Sequence, residues 1–152
     1  MKTQRKLASI LMAEDDADYY RLMEDAIKEA DMESTLSWVE DGELCMDYLL
    51  RRGKYSTLED TPLPDLILLD LNMPKKNGYE TLREIKNHPV LKRIPVVIMT
   101  ISSAPEDVIL CYTLGANSFI TKPLAFSHLV ETIKAVGRYW FETVALPPAG
   151  PA

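Results

Sequence analysis

The sequence predicts one α/β domain built on an open parallel sheet of five strands. Five apolar runs of strand length, Leu7–Ala13, Thr35–Val39, Leu66–Leu69, Val96–Met99 and Ser118–Ile120, alternate with segments of helical periodicity. Runs such as Leu66–Leu69 are apolar throughout, as strands covered on both faces must be. At 152 residues, 47% hydrophobic and 26% charged, the chain is long enough to bury a full core.

The N-terminal stretch MKTQRKLASILMAEDD begins basic and turns apolar, as a signal peptide does. Acids interrupt it straight after Met12-Ala13, too early for a leader or a membrane span, so it reads as a buried strand of a cytoplasmic protein. Leu22, Met23, Ala26, Ile27 and Ala30 then recur at helical spacing and predict an amphipathic helix over Asp18–Ala30. In DGELCMDYLLRR, Asp41 is placed to cap a helix whose Leu44, Tyr48 and Leu49 share a face. The stretch GKYSTLEDTPLPD, with Gly53, Pro62 and Pro64, predicts a long surface loop before the third strand. GYETLREIKN pairs Leu82 with Ile85, and Pro89 follows its end. Pro105 opens the fourth helix, where its missing N–H costs nothing, and Gly115 closes it. The last helix, from about Phe126, carries Leu129, Ile133, Val136 and Trp140 on one stripe. Cys45 and Cys111 lie in apolar segments without a CxxC spacing and are expected as buried free thiols. The net charge of −6, with no block of Lys or Arg, argues against nucleic acid as a partner.

In such sheets, ligands bind at the carboxyl ends of the strands where the strand order reverses. The first strand ends in Glu14-Asp15-Asp16, the third in Asp70, the fourth in Thr100 and the fifth in Thr121-Lys122-Pro123. Taken singly, each is an ordinary turn or cap residue; together they place five polar groups on one edge. Two unpaired carboxylates about 4 Å apart repel by roughly 4 kcal/mol at an effective dielectric of about 20. A cation among them, Lys122 reaching in, or a proton on one acid would relieve this. Mg²⁺ would use one or two carboxylates and leave positions for phosphate oxygens. Lys122 and Thr100 would then neutralise and hydrogen-bond a phosphoryl group, and Asp70 is the natural nucleophile for an acyl phosphate.

The motifs ILMAEDD, DLILLDLNMPKKNGYE, VVIMTISS and SFITKP, in this order, make the chain resemble the receiver domain of bacterial two-component response regulators over roughly residues 6 to 138. The resemblance implies a three-layer flavodoxin-like (βα)5 fold with sheet order 2-1-3-4-5. It implies phosphorylation of Asp70 by a histidine kinase, without other enzymatic activity. Asp15, Asp70 and the main-chain carbonyl of Asn72 would ligate one Mg²⁺, with Glu14 acting through water and Mn²⁺ able to substitute. Thr100 and Lys122 would bind the phosphoryl group, Thr100 shifting toward it while Phe119 fills the vacated space. The bond before Pro123 would be cis. The long loop before the third strand, and the absence of an output segment within these residues, resemble the stand-alone regulators of cyanobacterial phytochromes and imply a phytochrome-type kinase as partner. Ile101 departs from the small residue usual there and is expected to narrow access for phosphodonors; Asp16 is expected to be solvated.

Residues 1–138 thus form the receiver, and 139–152 a helical extension through GRYWFETVAL with a short disordered tail, LPPAGPA. Tyr139, Trp140 and Phe141 are consecutive and cannot all face one core of an α-helix. They predict a homodimer through the last helix and its extension, with the fourth-helix face as a further contact; the competing reading is a helix end folded back on its own core. A receiver-like interaction protein free of phosphate control is the alternative function. A phosphatase of the haloacid dehalogenase type fits less well, since the second Asp of its DxDx motif is Asn72 here. Dinucleotide binding lacks its glycine-rich turn in MAEDDADYY.

Overall fold

The computed structural model describes residues 7–148, in which strands and helices alternate. They are β1 (Ala8–Ala13), α1 (Ala17–Glu29), β2 (Ser34–Val39), α2 (Gly42–Leu50), β3 (Leu66–Leu69), α3 (Gly78–Asn87), β4 (Val96–Thr100), α4 (Pro105–Thr113), β5 (Ser118–Thr121) and α5 (Phe126–Arg138). Every strand pairing is parallel and the order is β2-β1-β3-β4-β5, as expected.

The two-residue period of a strand sends alternate side chains into two cores. Leu11, Ala13, Ile67, Leu69, Val96 and Ile98 pack against α2, α3 and Cys111 of α4. Ile10, Met12, Leu66, Leu68, Val97 and Met99 pack against Met23, Ala26 and Ile27 of α1 and Leu129, Val130, Ile133 and Val136 of α5. Each Val, Leu, Ile or Met side chain among them, fully buried, contributes roughly 1.5–3 kcal/mol. Both thiols are buried and free; burial pushes Cys45 up to about 12 and Cys111 to about 11.

Local chemistry sets the helix starts. The Asp41 carboxylate accepts the Leu44 N–H at 2.8 Å, and Asn77 and Glu80 close a reciprocal capping box at the head of α3. Asp16, expected only as a solvated acid, caps α1 by accepting the Asp18 N–H at 2.9 Å. Within the long loop, Gly53–Leu58 forms a 3-10 turn. The buried Arg51 holds this loop by donating to the Thr61 and Pro62 carbonyls at 2.9 and 3.1 Å.

The expected helical run through GRYWFETVAL is shorter than predicted. Helix α5 ends at Arg138, a π turn spans Tyr139–Thr143, and Val144 is extended. The Val144 N–H donates to the Tyr139 carbonyl at 3.1 Å, and the Thr143 hydroxyl donates to the Arg138 carbonyl at 2.9 Å. The wider turn lets both Trp140 and Phe141 pack against the α1–α5 core, leaving Tyr139 51% exposed. Of the expected disordered tail, residues 149–152 lie outside the described residues; Pro147 and Pro148 line a crevice together with Leu63, Pro64 and Ile94. No helix among the described residues is long and apolar enough to cross a membrane.

Candidate phosphoryl and metal site

The strand order reverses between β1 and β3, and the polar residues converge on that edge. Glu14 follows β1 directly, its N–H tied to the Val39 carbonyl at 3.0 Å and its own carbonyl accepting the Trp38 indole N–H at 2.7 Å. Asp70 follows β3, its N–H bonded to the Ala13 carbonyl at 3.1 Å. Adjacent parallel strands therefore deliver the two carboxylates side by side. Lys122 follows β5, with its N–H on the Thr100 carbonyl at 2.7 Å.

The Lys122 ammonium lies 2.9 Å from Asp70 Oδ2 and also bonds Glu14 Oε1, with all three side chains nearly excluded from solvent. Burial pushes the Glu14 carboxyl up to about 8, and its hydrogen bond with Asp70 adds to the rise while Lys122 opposes it. Burial acts to raise Asp70 too, but the hydrogen bonds from Glu14 and Lys122 prevail and hold it below the usual carboxylate range. Burial acts to lower Lys122, and the two carboxylates outweigh it and raise it. The site therefore resolves its charge through Lys122 and through the raised proton affinity of Glu14, two of the three routes open from the sequence.

The residues also fit a hard divalent cation. Oxygens of Glu14, Asp15 and Asp70 lie within 4.8 Å of one another, and Glu14 Oε2 is buried without a hydrogen-bond partner. Asp15 is exposed at the mouth and shares a crevice with Asn72, Met73, Pro74 and Tyr79. Thr100 is fully buried, and its hydroxyl has no partner either. A second polar atom at this edge is thus free to receive a ligand.

Phe119 sits in the middle of β5, half-buried against the α2–α3 core and opposite Ile98. The bond before Pro123 is not cis as expected, since no cis peptide occurs among the described residues. The trans form is favoured by about 0.5–1 kcal/mol, and with it Lys122 already reaches both acids. Ile101 is 70% exposed, and the crevice beside Asp15 is lined by Leu71, Met73 and Tyr79. Tyr19 was missed from the sequence: its ring lies 4.4 Å from the Lys122 ammonium, and burial together with the two acids pushes its hydroxyl up to about 12. Its place in the first turn of α1, just after Asp16, is the one signal available.

Residues 10–134 match the response regulator receiver domain family. The chain belongs to that family. This receiver is 42% identical over 140 residues to response regulator Rcp1 of Synechocystis sp., covering 92% of this chain and 93% of that protein. Its fold is similar to the phosphorylated cyanobacterial phytochrome response regulator RcpA, with a TM-score of 0.85 and 39% identity over 93% of this chain and 99% of the other. It is likewise similar to the Mn²⁺-bound form of response regulator Rcp1, at 0.82 and 41% over 92% and 99%. The likeness of this receiver to phytochrome response regulators extends over nearly its whole length.

Proposed function

We propose that this receiver accepts a phosphoryl group on Asp70 from a phytochrome-type histidine kinase, with Mg²⁺, and signals through a conformational switch and protein contacts. The observation that supports this best is the buried triad of Glu14, Asp70 and Lys122 beside the unpartnered Thr100 hydroxyl. Asp70 is ionised and held in place, so its oxygen can attack phosphorus. The P–N bond to the donor imidazole then breaks, and its electron pair returns to the ring nitrogen. Lys122 neutralises an oxygen of the phosphoryl group, and Thr100 donates to another.

Asp15, Asp70 and the Asn72 carbonyl would hold the cation, Glu14 through water. When bound, Mg²⁺ neutralises charge on the phosphoryl oxygens. Chemistry is confined to gain and loss of this one group. Phe119 is the aromatic that follows the Thr100 shift. We further propose a homodimer in which exposed Tyr139 joins Ile109, Leu110 and Tyr112 of α4, exposed apolar side chains that this fold leaves uncovered.

Intact mass after incubation with acetyl phosphate and Mg²⁺ tests the acceptor. One hydroxylamine-labile phosphoryl group is expected on the wild type and none on Asp70→Asn. No adduct from acetyl phosphate or from a kinase donor would favour the phosphate-independent interaction protein.

A further inference from the structure

Across the mouth of the site from the acids, three elements are tied through one carboxylate. Tyr79, in the first turn of α3, donates its hydroxyl to Asp107 Oδ1 at 2.6 Å. Ser102, in the loop between β4 and α4, donates its hydroxyl to the other oxygen, Asp107 Oδ2. The Ala104 N–H in turn donates to Ser102 Oγ at 3.2 Å, and the Thr121 hydroxyl to the Ser102 carbonyl at 3.2 Å. Asp107 lies in the first turn of α4, whose cap residue Ala104 offers no side-chain bond. This carboxylate therefore favours the helix start electrostatically while accepting from two neighbours.

Ser102 is two residues beyond Thr100, whose buried hydroxyl is unpartnered. Movement of Thr100 toward a phosphoryl oxygen on Asp70 would carry Ser102 with it and strain its bond to Asp107. Tyr79 anchors that bond to α3, which starts beside Asp70: the Gly78 N–H donates to the Leu71 carbonyl at 2.9 Å. The tyrosine ring also lines the crevice shared with Asp15 and Asn72. The head of α3, beside the acceptor aspartate, and the start of α4 after the moving loop are thus joined by this phenol–carboxylate contact.

We propose that the Tyr79–Asp107–Ser102 bridge is a latch that holds the β4–α4 loop in its unphosphorylated position and sets how readily the phosphoryl state is reached. Tyr79 and Asp107 are positioning residues, acting on Thr100 through the loop. This rests on Asp70 being the phosphoryl acceptor. A hydrogen bond present only before the switch opposes it, and its removal favours the switched state by about three- to tenfold.

The test uses the whole chain as wild type, Tyr79→Phe, Asp107→Asn and the double variant. Affinity for beryllofluoride with Mg²⁺ is measured beside amide hydrogen exchange. Tyr79→Phe keeps the ring and is expected to tighten beryllofluoride binding about three- to tenfold and to speed exchange of the Ala104 amide, with β3 amides unchanged. The double variant is expected to gain no more than the larger single change, because both substitutions break one bridge. Unchanged Ala104 exchange, or faster exchange with unchanged beryllofluoride affinity, would overturn the latch. A purely structural role would speed β3 exchange as well and would also overturn it. If the wild type binds no beryllofluoride, the acceptor reading fails, and the exchange data alone decide whether the loop is held by Tyr79.

Discussion

A Cβ placed on Gly78 would stand 2.2 Å from the carbonyl oxygen of Asp70 and 2.6 Å from Cα of Leu71. The head of α3 thus presses on the backbone of the acceptor aspartate, and the atoms it would meet belong to main chain that cannot rotate away. Gly78→Ala is expected to destabilise the fold by about 1–3 kcal/mol, the range for overpacking a close-fitted interior. The same displacement should slow phosphoryl uptake at Asp70. Chemical denaturation and the acetyl phosphate mass assay read the two effects separately.

Removing the lysine tests how the site balances its charge. Lys122→Met leaves Glu14 and Asp70 buried together without their cation. An unpaired buried charge costs roughly 3–5 kcal/mol, and the proton retained by Glu14 keeps the loss below this near neutral pH. The melting temperature in chelator is expected to fall, and added Mg²⁺ should raise it by more in the variant than in the wild type. Equal Mg²⁺ shifts in both would mean that Lys122 and the cation do not share these carboxylates.

Lys86 supplies a pH signature away from the site. Its ammonium donates to the Ile94 carbonyl at 2.8 Å and to Asn117 Oδ1 at 3.1 Å, tying α3 to the starts of β4 and β5. Burial lowers it from 10.5 to about 8. Between those values the unfolded chain holds a proton that the folded chain has lost, so this group makes stability rise with pH across that window. The contribution is on the order of 1 kcal/mol after allowance for solvent screening. The difference in unfolding free energy between wild type and Lys86→Met should carry this slope, because buried Cys45 titrates alike in both. A difference independent of pH from 8 to 10.5 would contradict it.

The homodimer is checked by light scattering at micromolar concentration, with and without beryllofluoride. Dimers that dissociate in Tyr139→Ala, while Trp140→Ala chiefly lowers the melting temperature, are expected from the exposure of Tyr139 and the packing of Trp140 on its own core. A monomer under both conditions would remove the dimer.

Strand positions, sheet class and most helix limits were legible because hydrophobic periodicity and caps act over a few residues. Leu66–Leu69, the Asp41 cap and the Pro105 start stand where local chemistry alone puts them. So were Glu14, Asp15, Asp70, Thr100 and Lys122, since each ends a strand and a parallel sheet brings strand ends to one edge. What the tertiary structure decided are relations between distant segments. The pairing of Glu14 and Asp70 on one lysine, the Tyr19 ring over Lys122, and the meeting of Tyr79 with Asp107 depend on burial and side-chain direction. Neither has a signature in a short window of sequence. The π turn at Tyr139–Thr143 is of the same kind: helical propensity favours continuing α5, and the core that Trp140 and Phe141 reach by widening the turn exists only once α1 has packed.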